Sequence, residues 1–157
     1  MLSRRDLFRL TLSAAATTVV ARVLPAQRSP SAAAKLTVYK SPTCGCCRAW
    51  VDHMKSKGFT VETHDMPDAK LAEVKDTFGV PAELRSCHVA LLGKYVLEGH
   101  VPADLAQRLL TEKPKLVGLA VPGMPAGSPG MEMGPRKDKY DVVAFAAGGK
   151  RWTYASR

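Results

Sequence analysis

Three of the chain's four cysteines fall within four residues, in the run Ser41 to Trp50, SPTCGCCRAW. Cys44, Cys46 and Cys47 there form a C-x-x-C, a C-x-C and a C-C pair at once, one thiol more than a dithiol redox switch needs. A cysteine at the start of a helix sits at the positive end of the backbone dipole, beside amide N–H groups with no helical partner, so its thiolate is favoured. Cys44 and Cys46 are therefore both nucleophiles and metal ligands. C-x-x-C alone does not choose, because a redox dithiol and half of a zinc site share it. Cys46 shifts the balance. A third adjacent thiol would compete in every exchange step of a simple oxidoreductase, whereas a cluster of soft cations gains from each added thiolate. Cys46 and Cys47 diverge on a helix, which suits bridging of several ions better than four thiolates around one. A disulfide that only staples the loop leaves the third thiol unexplained.

Other donors lie further along. Cys87 and His88 open an apolar run, and as an adjacent pair they read as ligands more readily than either would alone. Met124, Met131 and Met133 fall in VPGMPAGSPGMEMGP, residues 121–135, which has no helical period, so a core-packing methionine stripe fits poorly. Thioether sulfur is soft and uncharged, and together with thiolate it selects Cu(I) over zinc or magnesium. Met133 is the weakest of the three. For His100, in EGHVP, ligand and solvated-loop readings stand level. His53 and His64 read as surface residues, and core packing is the default for Trp50 and Trp152. No phosphate loop, nucleophilic serine with a base, or catalytic carboxylate pair is evident.

The elements that must position these groups are legible from periodicity. Lys35–Lys40 alternates as a strand, and a helix over 47–57 follows, with Trp50, Val51 and Met54 on one face and Gly58 as its stop. A second strand over 59–64 leads to a helix over 68–78, with Asp68 as N-cap and Gly79 as C-cap. Residues 87–92 and 95–98 flank Gly93-Lys94 as a hairpin, and a helix spans 103–112 behind Pro102. The methionine loop is irregular, and residues 141–147 and 150–155 around Gly148-Gly149 form a C-terminal hairpin. The order β-α-β-α-β-β-α, with cysteines between the first strand and first helix, is the α/β thioredoxin-like arrangement: a central mixed sheet flanked by helices. In that arrangement Cys87 faces the first helix's N-terminus. Pro81, the nearest candidate for the proline that thioredoxins place there, precedes it by six residues.

The first residues read as something other than fold. Ser3-Arg4-Arg5-Asp6-Leu7-Phe8 is a twin-arginine pattern, followed by an apolar stretch and the small-residue run Ser31 to Ala34. That order describes a Tat-type export signal over residues 1–34, with the mature domain at 35–157. A membrane anchor fits less well, since the apolar part falls short of the about 20 residues a span needs and Arg22 interrupts it. The formal net charge is +9, and the leader's five arginines against one aspartate carry +4 of it, leaving +5. A balance so modest, with charges interspersed and no basic stripe, does not indicate nucleic acid. Export implies the periplasm, where cysteines pair, bind metal or do redox chemistry, and no stable membrane insertion once the signal is removed.

SPTCGCC, SCHVALLGKYVLEGHVP and GLAVPGMPAGSPGME, in this order, resemble the periplasmic CopG-type family of thioredoxin-like copper-handling proteins, unrelated to the ribbon-helix-helix repressor of the same name. The likeness runs from about Lys35 to the C-terminus. It implies a thioredoxin-like domain that binds several copper ions as Cu(I), a role in copper resistance, and redox interconversion of Cu(I) and Cu(II). By position, the implied metal ligands are Cys44, Cys46, Cys47, Cys87, His88, Met124 and Met131, with His100 matching the pattern less decisively. Copper ions and other periplasmic copper-handling or redox proteins are the implied partners. Three readings compete with a redox-active copper protein: a periplasmic thiol-disulfide oxidoreductase using Cys44 and Cys47, a passive copper buffer, and a zinc or iron–sulfur site.

Overall fold

The structure, a computed structural model, describes residues 34–157; the segment read as an export signal, apart from Ala34, lies outside them. The elements are β1 (Lys35–Lys40), α1 (Gly45–Ser56), β2 (Thr60–Asp65), α2 (Asp68–Thr77), β3 (His88–Leu92), β4 (Tyr95–Glu98), α3 (Ala103–Glu112), β5 (Gly118–Ala120), β6 (Asp141–Phe145) and β7 (Arg151–Ser156). They build one seven-stranded mixed sheet in the order β2-β1-β3-β4-β5-β6-β7. β1 pairs with β2 and β4 with β5 in parallel, and the remaining neighbours are antiparallel. This is the expected α/β arrangement, consistent with a thioredoxin-like fold. No helix among the described residues is long and apolar enough to cross a membrane.

Strand alternation divides the core into two layers. Leu36, Val38, Ala90, Leu92, Leu97, Leu119 and Ala144 point to one face and pack with Trp50 and Met54 of α1 and Leu105 and Leu109 of α3. Val89, Val96, Ala120 and Phe145 point to the other, where Leu71 of α2 and Leu84 cover them. The face of a residue near a strand end therefore decides which helices it meets. His88, in phase with Ala90 and Leu92, goes to the α1 side; Glu98, in phase with Val96, goes to the α2 side.

Several boundaries move from the sequence reading. α1 begins at Gly45, two residues earlier than expected, because Cys44 caps it: its Sγ accepts from the Cys47 N–H at 3.3 Å. α2 is capped by Pro67, not Asp68, which becomes the first helical residue; its C-cap is Phe78, and Gly79 follows with φ +69°. β2 is shifted one residue along, to Thr60–Asp65. A strand absent from the sequence reading, β5, sits between β4 and β6. Its Gly118 has no room for a side chain, since a Cβ there would collide with the Val96 carbonyl and the Phe145 ring. Trp152 is 44% exposed on the edge strand β7 and does not pack in the core.

Candidate metal centre

The β1–α1 junction and the loop entering β3 meet at one end of the sheet, because β1 and β3 are antiparallel neighbours with Lys40 opposite His88. Cys44 and Cys47 are joined by a disulfide with Cα atoms 5.3 Å apart. Cys44 is partly exposed, whereas Cys47 is buried. Cys46 and Cys87 are free and partly buried. Cys46 Sγ stands 3.5 Å from Cys44 Sγ and 3.8 Å from Cys87 Sγ. Cys47 Sγ lies 3.7 Å from the Cys87 carbonyl, to which it can donate only as a thiol, with the disulfide open.

Two histidines complete the cluster around Cys87. Its Sγ is 3.1 Å from His100 Nε2 and 3.4 Å from His88 Nδ1. The hydrogen-bond network assigns the His100 tautomer: Nδ1 donates to the Pro129 carbonyl at 2.8 Å, so the Nε2 lone pair faces the sulfur. His88 packs its ring on Trp50, with centroids 4.5 Å apart, and on His100 at 5.1 Å; its Nε2 has no partner among the described residues. Trp50 is fixed in turn by donating its indole N–H to the Val101 carbonyl at 2.9 Å. Two donor groups result, one of four cysteines and one of Cys87, His88 and His100, each with its ligand atoms within 4.8 Å of one another. Cys87 belongs to both.

Burial sets the protonation states. Desolvation, reinforced by the neighbouring Cys46, pushes the Cys87 thiol up to about 12, so it is protonated at neutral pH. Burial also holds His88 well below the usual histidine value, helped by His100 and Lys75, and it lowers His100 against the opposing Pro129 carbonyl. Neutral imidazoles keep their lone pairs. The site thus presents soft sulfur and uncharged nitrogen, and a cation taken up at Cys87 displaces a proton.

The methionine loop is laid against this cluster. Gly130, at φ +86°, passes so close to α1 that a Cβ would come within 2.7 Å of Trp50 N and 2.9 Å of the Cys46 carbonyl. Pro129 reaches His100, and the Ser86 hydroxyl donates to the Gly123 carbonyl, so the loop is pinned beside Met124 and Met131. Met124 is 53% exposed, Met131 is partly buried, and Met133 stands in solvent at 86% exposed. His100 is fully buried, which removes its solvated-loop reading. His53, expected at the surface, is half-buried on α1, and His64 is exposed on β2.

Sequence reasoning missed three residues behind Cys87. On the α2 face of the sheet, Lys75 and Glu98 form a buried ion pair at 2.6 Å. Together they grip Ser86: its N–H donates to Glu98 Oε1 at 2.5 Å, and its carbonyl accepts from Lys75 Nζ at 2.5 Å. Glu98 Oε2 has no partner among the described residues, and burial raises this carboxyl's pKa against the opposing pull of Lys75. The signal available in the sequence was a lysine four residues after Leu71, on the buried face of α2. Beside Cys44 and Cys87 a cleft of about 470 Å³ opens, walled by Leu71, Lys75, Arg85 and Ser86.

Two solved structures of copper resistance protein copG resemble this architecture. Form 2 is 41% identical with a TM-score of 0.75, and the match covers 80% of this chain and 98% of that one. Form 1 is 42% identical with a TM-score of 0.74 over the same shares. This chain belongs to the CopG family. A family model described as a protein of unknown function, DUF411, matches residues 84–131, the stretch that carries Cys87, His88, His100, Met124 and Met131. No curated protein sequence matches the chain.

Proposed function

We propose that this CopG-family chain is an exported, periplasmic copper-resistance protein that holds copper as a Cu(I) cluster and interconverts Cu(I) and Cu(II). Cys44, Cys46, Cys47, Cys87, His88 and His100 are the inner donors, and Met124 and Met131 close over them from the loop. The observation that carries this reading is the convergence of four sulfurs and two neutral imidazoles, with Cys87 common to both groups. Such a donor set is soft and adds little charge, which favours a monovalent, sulfur-seeking cation. Exchange with an external dithiol, which becomes a disulfide in turn, opens Cys44–Cys47 and supplies two further thiolates, so metal uptake is tied to the redox state of that pair. Reclosure balances: the dithiol closes to the disulfide, two Cu(II) become two Cu(I), and two protons leave. Residues 1–34 serve as the Tat signal and 35–157 as the copper domain.

Metal analysis of protein purified from the periplasm, wild type beside Cys46→Ser, tests this. More than one copper per chain in the wild type and a sharp drop in the variant is expected; equal loading removes Cys46 from the site, and zinc or iron in place of copper overturns the metal assignment. A second reading, thiol-disulfide oxidoreductase, draws on the asymmetry of the disulfide. Cys44 is open to the cleft and Cys47 is buried, as suits an attacked sulfur and a leaving sulfur. Insulin reduction that survives replacement of Cys46 and Cys87 would favour it.

A further inference from the structure

The disulfide accounts for two cysteines, and the other two are themselves a pair. Cys46 Sγ and Cys87 Sγ are 3.8 Å apart, on α1 and on the loop entering β3, 41 residues away in sequence. Cys44 is already bonded to Cys47, which leaves Cys87 as the free thiol in range of Cys46. Bonding them at about 2.05 Å asks the two sulfurs to approach by roughly 1.8 Å. Both ends are held by fixed backbone: Cys46 lies in the first turn of a capped helix, and Cys87 follows Ser86, which Lys75 and Glu98 grip on both sides of its peptide.

We propose that Cys46 and Cys87 are a second electron-donating dithiol, so that one fully reduced chain delivers four electrons, two from each cysteine pair, to Cu(II). In the second step the Cys46 and Cys87 thiols lose two protons to solvent and two electrons to two Cu(II) ions; an S–S bond forms and two Cu(I) result. The oxidant rests on the copper reading of the site given above. With Cys44–Cys47 already closed, as in this structure, the remaining capacity is two electrons. The thiol in excess of a single switch is then half of a second switch completed by Cys87.

The test mixes fully reduced protein with excess Cu(II) without oxygen, counts Cu(I) with a chromogenic chelator, and counts thiols after denaturation. Four Cu(I) per wild-type chain, loss of all four thiols and a Cys46–Cys87 cross-linked peptide are expected. Cys46→Ser and Cys87→Ser should each yield two. Two Cu(I) from the wild type, with Cys46 and Cys87 recovered as thiols, overturns the second pair, as does cross-linking between chains through either cysteine. The copper reading is tested apart by offering Cu(I) itself to the same reduced protein and measuring what gel filtration retains. Retained copper with only two Cu(I) formed from Cu(II) overturns the second pair alone; no retained copper overturns the reading beneath it.

Discussion

The two faces of the sheet meet the cluster with opposite chemistry. On the α1 face, His88 and His100 are buried and neutral; His88 packs its ring on Trp50 and meets His100 edge-on, and its Nε2 has no partner among the described residues. On the α2 face, Lys75 and Glu98 are as deeply buried but ion-paired, and Lys75 Nζ and Glu98 Oε1 are spent on each other and on the Ser86 peptide, with Glu98 Oε2 left over. The difference separates receiving from holding. A donor left neutral and under-satisfied can take a cation without first giving up a strong partner. A charge pair in a dry interior binds the backbone that presents Cys87, at a desolvation cost recovered only while both partners stay.

Breaking the holding side should have the largest effect on stability. Lys75→Met strands the Glu98 carboxylate and should lower unfolding free energy by about 3–5 kcal/mol, read from denaturant midpoints. Replacing Lys75 and Glu98 together by methionine should recover much of that loss. If the single variant is as stable as the wild type, the clamp has no structural weight. Gly130→Ala comes next. It forces a Cβ against the α1 backbone at a positive φ and should cost about 1–3 kcal/mol while lifting the methionine loop, so copper retention should weaken along with stability.

The receiving side should behave in reverse. His88→Phe keeps the ring stack and removes an under-satisfied nitrogen, so stability should shift by less than about 1.5 kcal/mol while copper affinity falls at least tenfold. Unchanged affinity would take His88 out of the ligand set. The same variant sharpens the pH dependence. His88 and His100 have depressed pKa values when folded, so below the unfolded value of about 6.5 the unfolded chain binds more protons than the folded one. Stability should therefore fall as pH drops through that value. His88→Phe should flatten the slope, and an identical slope in the variant would assign it to other groups.

What the sequence made legible follows the same division between local and distant causes. β1 and α3 fall where periodicity and proline placed them, since a strand of alternating residues and a helix behind Pro102 are set by their own neighbours. The cysteine run, Cys87 and His88 stand out because their residue types are rare and chemically pointed. The early start of α1 was hidden because Gly45 and Cys46 add nothing to the apolar period; the Cys44 sulfur, not hydrophobicity, starts that helix. β5 is three residues long, too short to show a period, and exists because β4 and β6 bracket it. The burial of His100 depends on a carbonyl 29 residues downstream, and the Lys75–Glu98 clamp joins α2 to β4 across 23 residues. No local pattern encodes either contact.

The central claim, that cysteine sulfur and histidine nitrogen at the tip of α1 hold copper as a cluster, is most directly tested by copper X-ray absorption on protein loaded with Cu(I) without oxygen. The account expects a sulfur-dominated first shell with a nitrogen contribution and a copper–copper distance short enough to register as a separate shell. A single isolated copper coordinated by nitrogen and oxygen alone, or a protein that holds no copper after desalting, would contradict it.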